Sequence, residues 1–127
     1  ETGAQFAATD SRAAEVLSFW FRGPEKRKAW FEKDPAFDAE IRARFLPLHE
    51  AAAAGALARW RDSPGDCLAL VVALDQFPRN MFRGSARAFA ADPLALATAK
   101  HALALGYDRA MLPVERQFLY LPLEHSE

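Results

Sequence analysis

An acid followed at four-residue steps by three arginines is the first thing in this chain that could do chemistry. Asp75 ends an almost wholly apolar run in Leu68–Arg83, LALVVALDQFPRNMFR, and Arg79, Arg83 and Arg87 follow it. A carboxylate at the C-terminal end of an apolar helix meets the negative end of the macrodipole and loses its water, so it needs a cation or hydrogen bonds. Arg79 and Arg83 are the nearest cations. Two outcomes are open to these residues. Asp75 can pin the turn by pairing with Arg79, while Asn80 hydrogen-bonds the bend. Alternatively the guanidiniums keep spare donors, and Arg79, Asn80 and Arg83 grip a carboxylate or phosphate two bonds at a time.

A second polar group closes the chain: Tyr120, Glu124, His125 and Glu127 in FLYLPLEHSE. Adjacent residues diverge by about 100° on a helix, so Glu124 and His125 cannot both aim at one metal. No metal site and no cofactor are expected. His125 shares a stripe with Phe118 and Leu121, which turns it inward. There it is either a satisfied packing residue or, if it meets Asp75, half of an Asp–His pair able to act as a general base. A binding module would hold a small acidic ligand or acidic peptide between the Asp75–Arg83 turn and the last helix, touching Arg79, Asn80, Arg83, Tyr120 and Glu124. The alternative is a hydrolase in which Asp75 orients His125 and Arg79 steadies an anionic transition state. A third reading is a structural scaffold.

Other reactive residues offer less. His49-Glu50 lacks the second His of a zinc-protease helix, and His101 stands alone on its stripe. There is no glycine phosphate loop, no GxSxG elbow and no CxxC. Cys67, near a helix N-terminus, is either a thiol of lowered pKa or, beside Leu68 and Leu70, a small buried hydrophobe.

The elements that must position these groups are helices. With 127 residues, 51% of them hydrophobic and 12% aromatic, the chain is expected to be a single helical domain, and global disorder is excluded. Sixteen basic residues against 17 acidic ones leave a net charge of −1, which argues against a nucleic-acid binder. One cysteine allows no internal disulfide, and a reducing cytoplasm is the simplest compartment. No apolar stretch approaches the roughly 20 residues of a membrane span, and ETGAQFAATDSR lacks the order of a signal peptide. LYLPLEHSE stops within a helical pattern, so the natural domain is expected to continue past Glu127.

Thr9, Asp10 or Ser11 caps a first helix, with Glu15 placed to close a capping box on Arg12; Ala13, Val16, Leu17 and Trp20 form its apolar face, and Gly23-Pro24 ends it. Phe19, Trp20 and Phe21 cannot all face one side, which leaves a ring for a second surface and suggests a homodimer. After the connector PEKRK, Asp34-Pro35 starts a second helix with the stripe Phe37, Ile41, Phe45 and Leu48; Pro47 should kink or end it. Ser63-Pro64 starts a third, apolar all round from Leu68 to Leu74 and therefore central. Phe77, before Pro78, is disfavoured from continuing it. Asp92-Pro93 starts a fourth, ended by Gly106, and Pro113 opens the last. No alternating strand pattern occurs, so the fold class is all-α. Pro35, Pro64, Pro93 and Pro122 are evenly spaced, as are Phe31, Trp60, Phe89 and Phe118. Stacked antiparallel hairpins of similar length would produce this; so would coincidence.

The string from Leu68 to Met111, with FLYLPLEHSE after it and VLSFWF (Val16–Phe21) before it, resembles the bacterial domain-of-unknown-function 924 family over most of the chain, from about Ala14 onward. The resemblance implies antiparallel helical hairpins stacked in a tetratricopeptide-like right-handed array. It assigns no catalytic residue. Its signature positions here are Asp75, Gln76, Phe77, Pro78, Arg79 and Asn80, then His125, Ser126 and Glu127. Members of that family usually continue beyond the HSE string, where this chain stops.

Overall fold

Aspartate and proline set most of the helix starts. The computed structural model describes residues 8–21, 30 and 32–126, and helix is the regular structure found among them. The main helices are α1 (Ser11–Phe21), α2 (Pro35–Ala53), α3 (Pro64–Val71), α4 (Phe77–Met81), α5 (Asp92–Ala104) and α6 (Pro113–His125), with a π-helical segment, Val72–Gln76, joining α3 to α4. Asp34 caps α2 as its neighbours imply, its Oδ1 accepting from the Ala36 and Phe37 amides at 3.1 Å. Asp10 caps α1 through the Arg12 amide at 2.8 Å. Glu15 closes no box there; it turns to Arg44 of α2 at 3.0 Å.

Two prolines, Pro47 and Pro78, depart from the expected breaks. Pro47 lies inside α2, which runs on to Ala53, and Pro122 lies inside α6. Pro47 strands the carbonyl of Ala43, but that residue is exposed and water can serve it. Pro78 sits in the first turn of α4, and Phe77 before it keeps helical angles. The even proline spacing therefore marks three helix starts and one helix interior. The matching aromatics diverge as well: Trp60 and Phe118 are buried, Phe89 is 56% exposed, and Phe31 lies outside the described residues.

The α3–π–α4 rod forms the centre, as its all-round apolar character requires. Every residue from Cys67 to Leu74 is buried, with burial of each large aliphatic chain contributing about 2 kcal/mol. α1 packs on α3, α2 on α4, and α5 and α6 pack on each other and on α3. In α2, His49 is buried where Leu48 was expected and is only half-buried. The triplet Phe19–Phe21 leaves no ring over. Phe19 meets Phe37, Phe45 and Phe77, whereas Trp20 and Phe21 both meet Phe118, because α1 is covered from more than one side. All three are buried. Gly23-Pro24 and PEKRK lie outside the described residues. Gly106, at φ +75°, ends α5 as expected. Cys67 is a packing residue: burial pushes its thiol up to about 12. No helix among the described residues is long and apolar enough to cross a membrane.

Candidate functional site

Pro78 is where the site begins. The Phe77 amide reaches back to the Val72 carbonyl, one residue further than in an α-helix. The next donor in that register would be Pro78, which has no N–H. The Ala73 carbonyl thus loses both its α-register donor and its π-register donor. His49 of α2 takes the place of both, Nδ1 donating to Ala73 O at 2.8 Å.

Two residues on, Asp75 carries the other specialised contact. Its side chain is 1% exposed, and Oδ1 accepts from His125 Nδ1 at 2.9 Å. Oδ2 accepts from Gln76 Nε2 at 2.8 Å. Arg79 donates to the Asp75 backbone carbonyl at 2.7 Å and lies 3.4 Å from Oδ1. The burial of this carboxylate is therefore offset by three side-chain donors, in the way that makes buried charge tolerable. Because Nδ1 of His125 faces a carboxylate, it carries the proton there, and Nε2 of the neutral ring is left as an acceptor. His125 is 26% exposed at the side chain, so the pair joins a buried anion to a reachable imidazole.

The arginines are committed within the chain. Arg79 makes a bidentate pair with Asp92, both bonds 2.9 Å, and lies over the exposed Phe89 ring. This explains why Asp92 does not act as a side-chain cap for α5. Arg83 makes a second bidentate pair, with Asp38 of α2 at 2.8 and 3.0 Å, and Asn80 donates to the same carboxylate at 2.8 Å. Burial opposes ionisation of Asp38, but the Arg83 and Asn80 bonds outweigh it and hold its carboxyl below the usual range.

The candidate residues therefore fall into separate groups. Asp75, Arg79 and His125 come together. Asn80 and Arg83 sit on Asp38, facing α2. Tyr120 donates to Asp108 at 3.0 Å, and Glu124 is exposed. Glu127 lies outside the described residues. The anionic partners Asp92 and Asp38 were missed because one reads as a helix start and the other as the wet side of α2. In the sequence His49 reads only as half a zinc motif; the usable signal is Pro78, which strands a carbonyl that some donor must meet. His101 is occupied, bonded through Nε2 to Arg61 O at 2.9 Å. Among the described residues no three His, Cys, Asp or Glu side chains are grouped to hold a metal.

The family model described as bacterial protein of unknown function (DUF924) matches residues 16–127. Among solved structures, a protein of unknown function, ATU0120, from Agrobacterium tumefaciens is similar over 91% of this chain at 45% identity, with a TM-score of 0.85. The chain spans 64% of the length of that one. No curated protein matches the chain.

Proposed function

The chain belongs to the bacterial DUF924 family, and on that premise we propose that Asp75 and His125 form an acid–base pair for the hydrolysis of a small polar substrate. One observation carries this reading: a buried carboxylate, hydrogen-bonded at both oxygens, lies 2.9 Å from the Nδ1 of a partly exposed imidazole. Asp75 fixes ring and tautomer; Nε2 takes a proton from water as its oxygen adds to an acyl carbon, then returns it to the leaving group. Arg79 acts as a positioning residue, tying Asp75 to Asp92 across the start of α5.

The binding-module reading, with a small acidic ligand or acidic peptide on Arg79 and Arg83, asks that ligand to displace Asp92 or Asp38 from a bidentate pair. That requirement favours the acid–base reading. A tetratricopeptide-like stacking of hairpins belongs to the same proposal, supported by the packing of α5 and α6 on each other and on α3. A cytoplasmic location is supported by the single, buried Cys67.

Initial rates with p-nitrophenyl acetate and with mono-p-nitrophenyl succinate, its carboxylate-bearing counterpart, test the proposal. His125→Asn should lower the rate above buffer by about 10²-fold. Asp75→Asn, in a variant shown by circular dichroism to be folded, should lower it by about 10-fold or more through the wrong tautomer. A wild-type rate in His125→Asn would remove the acid–base role.

A further inference from the structure

The end of α2, residues 87–91 and the start of α5 line an open cavity of about 470 Å³ whose walls include neither Asp75 nor His125. Its size falls in the range of small-molecule sites. Ala53, Ala90, Pro93 and Leu94 make much of the wall apolar, and three polar groups of different kinds interrupt it: His49, Arg87 and Glu50.

His49 is 5% exposed. Its Nδ1 is committed to the Ala73 carbonyl and so carries the ring proton. Nε2 has no hydrogen-bond partner among the described residues. The ring itself lines the cavity. Burial, with Arg87 nearby, pushes the imidazole pKa down and keeps Nε2 an acceptor. Arg87 is held at the rim by its guanidinium stacking on Phe82, 3.9 Å from the ring centroid. Its ionic partner there is Glu50, 3.6 Å away and, like Arg87, more than half exposed. Such a pair is loose enough to exchange one carboxylate for another.

We propose that this cavity binds a small monocarboxylic acid that also carries a hydroxyl or N–H group. The apolar body lies against the alanines and Leu94, the donor bonds His49 Nε2, and the carboxylate takes the place of Glu50 on Arg87. A bare hydrocarbon would leave His49 and Arg87 unanswered, and a dianion would bring a second negative charge to a wall that holds one cation, Arg87, and one anion, Glu50. The site stands independently of the Asp75–His125 reading, because it uses other side chains.

Titration of the full chain, ¹⁵N-labelled, with 4-hydroxybenzoate and with 3-hydroxybutyrate tests this by NMR. Saturable shifts are expected at the Ala53, Ala90 and Leu94 amides and at the His49 Nε2 resonance. Benzoate, which lacks the donor, and methyl 4-hydroxybenzoate, which lacks the charge, should each bind at least about tenfold more weakly. Arg87→Ala should reproduce the ester's loss, and Ala90→Trp, a change at an exposed wall position, should abolish binding. No saturable shift with either probe, equal affinity for the ester, or undiminished binding to Ala90→Trp would overturn the proposal.

Discussion

Two imidazoles rest on the same π-helical segment, and the chemistry available to each is set by which group it found there. His125 rests on the Asp75 carboxylate and is partly exposed; His49 rests on the Ala73 carbonyl and is buried. Residues two apart diverge by about 200° on a helix, so one backbone irregularity serves α6 on one side and α2 on the other. A carboxylate partner can compensate a proton arriving on the ring, which suits proton transfer. A carbonyl partner fixes one tautomer and offers no countercharge, which suits a static hydrogen-bond acceptor. The same side chain thus becomes a candidate base in one place and a candidate ligand contact in the other.

Removing the shared support on the carboxylate side should have the largest effect. Asp75→Ala leaves the Gln76 and His125 donors without their acceptor, while Arg79 keeps the residue-75 carbonyl and Asp92, and stranding two donors at a buried site costs about 3 kcal/mol. His125→Ala, at a side chain 26% exposed, should cost about 1 kcal/mol or less. Urea unfolding at unchanged m-value measures both. Equal losses would mean that His125 is a packing residue and Asp75 merely its partner.

The carbonyl side should respond less, and in a way that depends on Pro78. His49→Leu orphans the Ala73 carbonyl at a cost of about 2 kcal/mol. In a Pro78→Ala background, where residue 78 regains an N–H, the same substitution should cost about 1 kcal/mol less; strict additivity would break the link between proline and histidine. The His49 pKa is held down by burial, against the Ala73 bond. A depressed folded value means that the unfolded chain binds the proton first. Stability is complete above the ordinary value of 6.5 and falls as pH drops below it, toward the folded value. Asp38, depressed from 3.8, adds a loss only at lower pH, and Glu115, raised from 4.5 by burial, works in the opposite direction. A fall in unfolding free energy as pH drops below 6.5 that disappears in His49→Asn is the expected outcome.

The helices were legible because their starts are written locally. Asp34-Pro35 and Ser63-Pro64 announce themselves, and the unbroken apolar run from Leu68 to Leu74 can only be central. Pro47 and Pro78 read as breaks and are not, since whether a proline ends a helix depends on which carbonyl it strands and what surrounds that carbonyl. The Asp75–His125 contact was visible as a possibility from helical stripes alone. The fate of the arginines was not. Arg79 and Arg83 look like a ligand grip until tertiary packing delivers Asp92 and Asp38, and neither acid signals its partner by spacing. Residues 42 and 45 positions apart meet through the α2–α4 contact, a long-range fact that no local pattern encodes.

The smallest expected change in stability comes at Arg87, where it separates the two sites most sharply. Its ionic contact with Glu50 is 3.6 Å between side chains 58% and 57% exposed, too solvated to contribute more than a few tenths of a kcal/mol. Stacking on Phe82 adds about 0.5 kcal/mol at such a position. Arg87→Ala should therefore unfold within about 1 kcal/mol of the parent chain and leave ester hydrolysis at His125 unchanged, while the His49 resonance stops responding to 4-hydroxybenzoate. If hydrolysis falls along with the His49 response, the two imidazoles share one substrate across the π-segment. The separation argued from Ala73 and Asp75 would then be wrong, and the cavity would be the mouth of a single site.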